Sequence, residues 1–536
     1  MTETFEQYLD WVVYQIYPKS FYDSNGDGIG DINGIAEKLE YIRSLGANAI
    51  WICPIYQSPQ CDNGYDISDY REIQPEYGTM EDFERLVQKA HCMGIRVLMD
   101  LVANHTSSEH IWFREARKSR ENPYHDYYYW AEKPLTDWKS VFGGSAWEYN
   151  EATGEYYLHS FAVGQPDVNW TNPKVRKEFA DIVDFWADRG VDGFRCDVLD
   201  FISKDFQTGK MYNGPFLHDY LKELMDREKV RHLFTVGECQ ANEQSILAIC
   251  GENRGELKCT FQFEHFNVGR KNGKFFPKEH SVGDAAAILK KWQSFSQEHD
   301  FLYTLLTDNH DNAWYNSRVG NDREYRYESA TLLATMVYGL RGIPFIYQGQ
   351  EIGAANSSFD DISNFDDIET LNYYREKLGE YSHEDIMKQL NFGSRDNPRR
   401  PMAWNGNENF GFTTAEKPWL PYASRSAEIN VEKDLEQERS VLRYYRDLFA
   451  IRNRYSAFRR GDCLEVAGRD GCLIYERSYG DEHFLVVCNF EKENRIDGIS
   501  ESGELILSNY LLQNAEINRT YAPFEAAIYR MEEVCK

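Results

Sequence analysis

Nowhere in the 536-residue sequence do eighteen consecutive apolar residues occur, so no segment reads as a membrane-spanning helix. The first ten residues carry three acidic side chains and no apolar stretch of the kind that directs secretion. Disulfide spacing is missing as well. The eleven cysteines are an odd number, and Cys53, Cys92, Cys196, Cys239 and Cys488 fall inside expected strands or helices, which suits buried reduced thiols. Basic residues are scarce: 59 Lys and Arg stand against 87 Asp and Glu, a net charge of −28 that repels phosphate backbones and anionic membranes. These absences point to a cytoplasmic protein with a small-molecule partner, and neither nucleic acid nor membrane. Repeats and low-complexity tracts are also absent.

Aromatic residues, by contrast, are plentiful at 15%, including 12 Trp and 36 Tyr. Flat rings with a polar edge suit the apolar faces of sugars, although packing in a large core explains any single ring equally well. The chain exceeds the size at which one core keeps growing, so a large domain with smaller appendages is expected. Short β-rich apolar runs alternate with amphipathic stretches, the pattern of repeated βα units. Eight strands are predicted: 12–16, 49–52, 96–101, 193–196, 233–237, 259–263, 302–306 and 343–347. Between them Ile35/Leu39/Ile42, Phe83/Leu86/Val87/Ala90 and Val175/Phe179/Ile182/Val183/Trp186 repeat at helical spacing. The sum is a closed (β/α)8 TIM barrel.

About seventy residues separate the third strand from the next helix near Pro173, and connections of that length are usually functional. The barrel is therefore assigned to residues 1–104 and 172–456, with an inserted subdomain over 105–171 at its mouth. A second insert runs from Gly353 to about Gln437, and a final helix covers Ser440 to Arg454. Residues 457–536 read as short alternating strands, hence a C-terminal all-β sandwich.

In such a barrel, reactive groups project from the carboxyl ends of the strands. Those ends are rich in acid: Asp100 with Asn104 and His105 after the third, Arg195 and Asp197 on the fourth, Glu238 after the fifth, and His310 and Asp311 after the seventh. A lone strand-end acid often only caps the next helix. Four converging ends suggest acetal hydrolysis, which needs one acid to protonate the leaving oxygen and a second carboxylate to trap the oxocarbenium-like centre at roughly 5–5.5 Å. Arg195 precedes Asp197 by two residues, so both point to one side of the strand and the guanidinium should keep Asp197 ionised. Glu238, flanked by carboxylates, should hold a proton near neutral pH.

Four segments together carry a family resemblance: DLVANH at 100–105, GFRCD at 193–197, GE at 237–238 and NHD at 309–311. The chain resembles glycoside hydrolase family 13, the α-amylase superfamily, over nearly its whole length. The resemblance implies Asp197 as nucleophile, Glu238 as acid/base and Asp311 as transition-state stabiliser. WVVYQIYPKSF at 11–21, DNGYDISDY at 62–70 and QPDVNW at 165–170 are similar to the oligo-1,6-glucosidase, dextran glucosidase and α-glucosidase branch. That branch implies an exo-acting retaining enzyme that removes glucose from the non-reducing end of short α-glucosides. In it Tyr65 and Asp66 would hold the terminal glucose, Arg399 would pair with Asp66 to close the pocket, and His105, His310, Phe161, Gln165 and Arg195 would complete the sugar site. Val198, after the nucleophile, implies α-1,6 preference (isomaltose, panose), where threonine would imply α-1,4. Asn312, Ala313 and Trp314 depart from the branch, as do Pro398 and Arg400, which leaves the leaving group open. A sucrose isomerase or transglucosylase on the same scaffold is the alternative, and an inactive transporter-associated relative is a third reading.

Asp23, Asn25, Asp27 and Asp31 place oxygen side chains at positions 1, 3, 5 and 9 of one tight loop, the alternation a hard cation needs. The resemblance implies a structural Ca2+ held by these four and the Ile29 carbonyl. Mg2+ fits the same loop, and an acidic turn without metal is the other reading. No organic cofactor is expected.

Overall fold

The computed structural model describes residues 5–239, 242–251, 256–469, 471–490, 492–499 and 502–532. Its centre is an eight-stranded parallel sheet: β1 (Val13–Ile16), β2 (Ala49–Ile52), β3 (Arg96–Val102), β4 (Gly193–Asp197), β5 (Phe234–Gly237), β6 (Cys259–Thr260), β7 (Thr304–Leu305) and β8 (Ile343–Tyr347). Each strand pairs with its sequence neighbour, except that β6 meets β7 only through a parallel bridge between Thr260 and Tyr303. β1 lies between β2 and β8, with Val13 opposite Ala49 and Phe345, and so closes the barrel. Both faces of these strands are covered, which is why they read as continuous apolar runs. Trp51, Phe261 and Phe345 fill the interior, with ring centroids 5.2 to 6.2 Å apart.

β6 and β7 are shorter than the predicted 259–263 and 302–306. The chain after Thr260 leaves the ladder, and Phe261, Gln262 and Phe263 line the cavity at the barrel mouth instead. The helices sit where the apolar stripes put them. Thr79 and Asp82 form a capping box on Met80–Cys92, which buries Phe83, Leu86, Val87 and Ala90. Asn172 caps Pro173–Ala187, with proline in its first turn, and the five predicted stripe residues are all buried. The first stripe is split at Lys38 into two short helices, yet Ile35, Leu39 and Ile42 are buried as expected.

After β3 the chain builds a three-stranded antiparallel sheet, Trp130–Ala131, Glu155–Leu158 and Trp147–Asn150, beside the barrel mouth. Its root is pinned by a His105–Asp167 bridge and by the buried Lys204 ammonium, 2.8 Å from both Asp167 Oδ2 and Asn104 Oδ1. The final barrel helix, Val441–Arg454, is capped by Ser440. Beyond it, five antiparallel strands stand in the order Asp462–Arg469, Cys472–Tyr479, Glu482–Asn489, Ala526–Met531 and Gly503–Ser508. One face packs on helix Arg326–Tyr338, where the Tyr475 hydroxyl donates to the Thr335 carbonyl at 2.9 Å. The other buries Leu485, Val487 and Tyr529 against Ile496, Ile517 and Tyr521, so among the described residues the second layer of the sandwich is a two-stranded pair with its flanking chain.

The ten described cysteines are all free. Cys92 departs from the expectation of burial: it lies on the outer face of its helix and is exposed. Among the described residues no helix is long and apolar enough to cross a membrane.

Candidate active site

A cavity of about 700 Å³ opens at the carboxyl ends of the strands. At its floor one guanidinium organises the acids. Arg195 Nη1 donates to Asp197 Oδ1 at 2.7 Å and to Asp100 Oδ1 at 2.8 Å, while Nη2 binds Glu238 Oε2. Strand alternation puts Arg195 and Asp197 on one side of β4, and Glu238 follows directly on the neighbouring β5. Asp100 also accepts from Trp51 Nε1 and the Tyr65 hydroxyl, both at 3.1 Å. Burial pushes Asp100 up to about 6 against the pull of Arg195. Burial pushes Asp197 up too, and Glu238, Asp100 and Asp311 add to that push while Arg195 opposes it. Arg195 pairs with Asp197 and opposes that push as expected, but its one positive charge serves three carboxylates, so the cluster as a whole favours retaining one proton.

Asp311 has a different setting. Arg399 Nη2 lies 2.9 Å and Arg395 Nη1 3.3 Å from its Oδ1, and His310 Nε2 lies 3.2 Å from Oδ2. Burial works to raise its carboxyl, but Arg395 and Arg399 hold it well below the usual carboxylate range. His310, driven neutral by burial, is bound by Gln15 Nε2 at 2.8 Å and by the Tyr65 hydroxyl at 2.7 Å. The His310 and Tyr65 rings stack with centroids 5.3 Å apart. His105, pushed down to about 4 by burial, faces the Tyr65 carbonyl at 3.2 Å and packs against Phe161 with the rings tilted 52° to one another. Tyr65, His105, Phe161, Val198 and His310 all line the cavity with the three catalytic candidates. Val198 does so in the left-handed conformation, φ 33° and ψ 46°, against Phe142, Phe161 and Phe201. A β-branched residue held there costs about 1–3 kcal/mol, a strain typical of functional positions.

The profile of the alpha amylase catalytic domain matches residues 15–461. The chain belongs to the α-amylase family. It is 43% identical to the oligo-1,6-glucosidase of Parageobacillus thermoglucosidasius, across 97% of this chain and 98% of that one. It is also 42% identical to the trehalose-6-phosphate hydrolase of Bacillus subtilis, across 98% of each. A solved isomaltulose synthase mutant from Erwinia rhapontici, in complex with its natural substrate sucrose, superposes with a TM-score of 0.93 at 36% identity, covering 98% and 99% of the two chains. Barrel, acids and family agree on a glycoside hydrolase.

Within this α-amylase-family site four expected sugar contacts, Asp66, Gln165, Arg195 and Arg399, do not line the cavity. Asp66 is fully buried outside the cavity and accepts from Ser58 Oγ and the Cys61 and Asp62 amides, closing the turn in which Asn63 and Gly64 take positive φ. It makes no pair with Arg399, which binds Asp311 and the His310 carbonyl instead. Gln165 braces Asp62 at 3.0 Å rather than facing the cavity. The residues that the motif reading passed over are Asp62 and Arg395. Both line the cavity, and Arg395 Nη2 lies 3.2 Å from Asp62 Oδ1 while also contacting Asp311 and Asp367. Each stands four residues before the residue named for its role, in the same motif. The local signal was the turn itself, because an acid following Asn-Gly serves first to bind the turn's own amides. Of the three residues after Asp311 that depart from the branch, only Asn312 reaches the cavity; Trp314 packs behind it, on Tyr347. Pro398 and Arg400 also lie outside it, with Arg400 over the Phe359 ring.

In the 23–31 loop, Asp23 Oδ1 accepts from the Asn25 and Gly26 amides and Oδ2 from the Gly28 amide and Thr413, while Asp31 caps the helix that follows. Asn25 and Asp27 accept the amides of Asp27 and Ile29. Among the described residues no three acidic, His or Cys side chains are gathered as a metal's ligand set would be.

Proposed function

We propose that this enzyme is an exo-acting retaining α-glucosidase that releases glucose from short α-1,6-linked glucosides such as isomaltose and panose. The observation that carries the reading is the bridging of Asp197 and Glu238 by the two terminal nitrogens of Arg195. One planar fork binding both carboxylates favours the shorter separation used in retention, about 5–5.5 Å, over the inverting 6.5–9.5 Å. Arg195 occupies Asp197 Oδ1, so Oδ2 is the oxygen that attacks the anomeric carbon. As that bond forms, Glu238 gives its proton to the leaving oxygen and the glycosidic bond breaks. Glu238, now ionised, takes a proton from water, whose oxygen displaces Asp197 and restores the original anomer. Asp311, kept ionised by its arginines, stabilises the positive charge that develops on the ring.

The exo mode is supported by the clamp of Arg395 on Asp62, Asp311 and Asp367, which ties the 353–437 insert to the Asp62 turn behind the terminal glucose. Val198 and the names of the relatives support the α-1,6 preference. A panel of isomaltose, panose, maltose, sucrose, trehalose and 6-phosphorylated disaccharides, with the released anomer followed by NMR, tests the reading. α-Glucose from isomaltose as the main product is the expected result. β-Glucose would overturn retention, and isomaltulose or longer saccharides as main products would overturn hydrolysis in favour of transfer. The enzyme is further assigned to the cytoplasm, on the support of its unpaired thiols. The 23–31 loop is assigned a structural Ca2+ on the strength of its oxygen spacing, with Asp23, Asn25, Asp27, Asp31 and the Ile29 carbonyl as the residues to hold it.

A further inference from the structure

Behind the wall that receives the terminal glucose lies an ion pair that no step of the reaction uses. The Lys204 and Asp167 side chains are wholly buried, with Lys204 Nζ 2.8 Å from Asp167 Oδ2, 2.8 Å from Asn104 Oδ1 and 2.7 Å from the Phe201 carbonyl. An ammonium carries three donors and no acceptor, so these three oxygens use it completely. A lysine this deep is rare, and removing either partner alone would strand a buried charge.

Between the pair and the cavity stands Asn104. Its Oδ1 faces the ammonium, while its Nδ2 donates to Asp167 Oδ1 at 3.2 Å. Asp167 is itself held, accepting from the Ser160 amide at 2.9 Å and from the Ser160 hydroxyl. Inverting the Asn104 amide would turn its NH2 group toward the ammonium and its oxygen toward the carboxylate, two repulsive contacts in a buried site. The ion pair therefore fixes which way the amide points.

That orientation decides the protonation of His105. Burial keeps its ring neutral, so one nitrogen carries a hydrogen and the other accepts. Asn104 Nδ2 lies 3.2 Å from His105 Nδ1 and brings it a donor. Nδ1 is thus the accepting nitrogen, and the hydrogen sits on Nε2, 3.2 Å from the Tyr65 carbonyl. Gln165 Nε2, 3.3 Å from the same nitrogen, is a donor that binds Asp62 at 3.0 Å and so offers His105 no acceptor. In the other tautomer the lone pairs of Nε2 and the carbonyl oxygen would oppose each other, and Tyr65 would lose this anchor. Tyr65 lines the cavity, and its hydroxyl reaches His310 at 2.7 Å and Asp100 at 3.1 Å.

We propose that the ion pair of Lys204 and Asp167 is a positioning element of the glucose wall, holding His105 in its Nε2-protonated tautomer through the Asn104 amide. Lys204, Asp167 and Asn104 do not line the cavity, so they act through His105 and Tyr65, which do. The wall they support meets the glucosyl unit and not the leaving group, so the effect is the same whatever leaves.

The tautomer is read from NMR of enzyme labelled in its histidine nitrogens, with the His105 signals identified by their absence in His105→Gln. At neutral pH the wild type should show Nε2 protonated and Nδ1 bare; the reverse would overturn the proposal without any variant. The double variant Lys204→Met with Asp167→Asn frees the amide and strands no charge. Its His105 should move to the other tautomer or to a mixture. Its kcat/KM should fall about tenfold to a hundredfold, by equal factors on isomaltose and on p-nitrophenyl α-glucoside, whose leaving group is not a sugar. Asn104→Asp is the second variant: its carboxylate has no hydrogen to give Nδ1, so the same change of tautomer and the same paired losses are expected with the ion pair intact. Losses with the tautomer unchanged would reduce the pair to a structural pin and overturn the proposal, as would a loss confined to one substrate. The proposal rests on the glucosidase reading only for its choice of substrates. A wild type that cleaves neither glucoside would overturn that reading, while the tautomer measured without substrate still decides this one.

Discussion

The two walls of the cavity are built on opposite principles. On the glucose wall nearly every polar group is already bound to another: Asp62 to Arg395 and Gln165, Tyr65 to Asp100 and His310, Asp311 to two arginines. On the opposite wall, Lys291 binds Glu243 and Glu264 together, and Lys274 binds Glu369, which Arg395 also reaches. A densely shared buried network is stiff and admits one ligand shape, whereas a wall held by a few partly exposed ion pairs tolerates several. Relatives of this chain named for different leaving groups are what a fixed glucose wall and a variable opposite wall would produce.

The comparison breaks most decisively at the floor between the walls. Asp197→Asn should lower kcat by about 10⁴-fold or more on every α-glucoside, because the covalent intermediate cannot form. Substrate affinity, measured by calorimetry, should persist; substantial residual turnover would remove Asp197 from the nucleophile role. On the glucose wall, Asp62→Asn should cost about 100-fold in kcat/KM, equally for isomaltose, maltose and p-nitrophenyl α-glucoside. Burial, against the pull of Arg395 and Arg399, raises the Asp62 carboxyl to about 6. A raised carboxyl takes up its proton at higher pH, so wild-type kcat/KM should fall as pH drops through about 6. In the Asn variant the Asp62 share of that limb should be lost, leaving the share of Asp100 and Asp197, which burial also raises. A loss that differs among leaving groups would show that the two walls are not independent.

How far the sequence carries follows the same division. The barrel was legible because strands covered on both faces must be apolar throughout and its helices carry single stripes, as in Phe83/Leu86/Val87/Ala90. The position of the strand-end acids at the cavity was legible because strand ends fix them within a residue. Asp62 and Arg395 were not, because they sit on turns, where a shift of four residues along the chain moves a side chain from the cavity to the turn's own amides. The contact of Arg270 with Asn312, 42 residues away, had no motif at all, and only the folded chain displays it.

Val198 stands where the walls meet. Threonine there keeps the β-branch and the left-handed backbone strain but exchanges a methyl for a hydroxyl on a residue that lines the cavity. Val198→Thr should therefore move the isomaltose-to-maltose ratio of kcat/KM toward maltose by on the order of tenfold, with thermal stability little changed. Val198→Gly releases the strain and supplies no hydroxyl. If glycine shifts the ratio as far as threonine, backbone conformation rather than side-chain chemistry sets linkage preference.

The smallest effect is expected farthest from both walls. The 23–31 loop contributes no side chain to the cavity, so a cation bound there would act on folding alone. A ligand present at about 100 times its dissociation constant stabilises the native state by about 2.7 kcal/mol. In a chain of this size that amounts to a few degrees of melting temperature. Chelation should lower Tm by about that amount while kcat/KM at 25 °C is unchanged, and Ca2+ should restore it more fully than Mg2+, whose tighter octahedral demand suits a flexible oxygen loop less well. Asp27→Ala should abolish the Ca2+ response, because its carboxylate is held only by the Asn25–Ile29 turn and gives up little else when removed. A Tm indifferent to chelator, with Asp23 and Asp31 still needed for stability, would make the loop an acidic turn whose carboxylates serve its own amides.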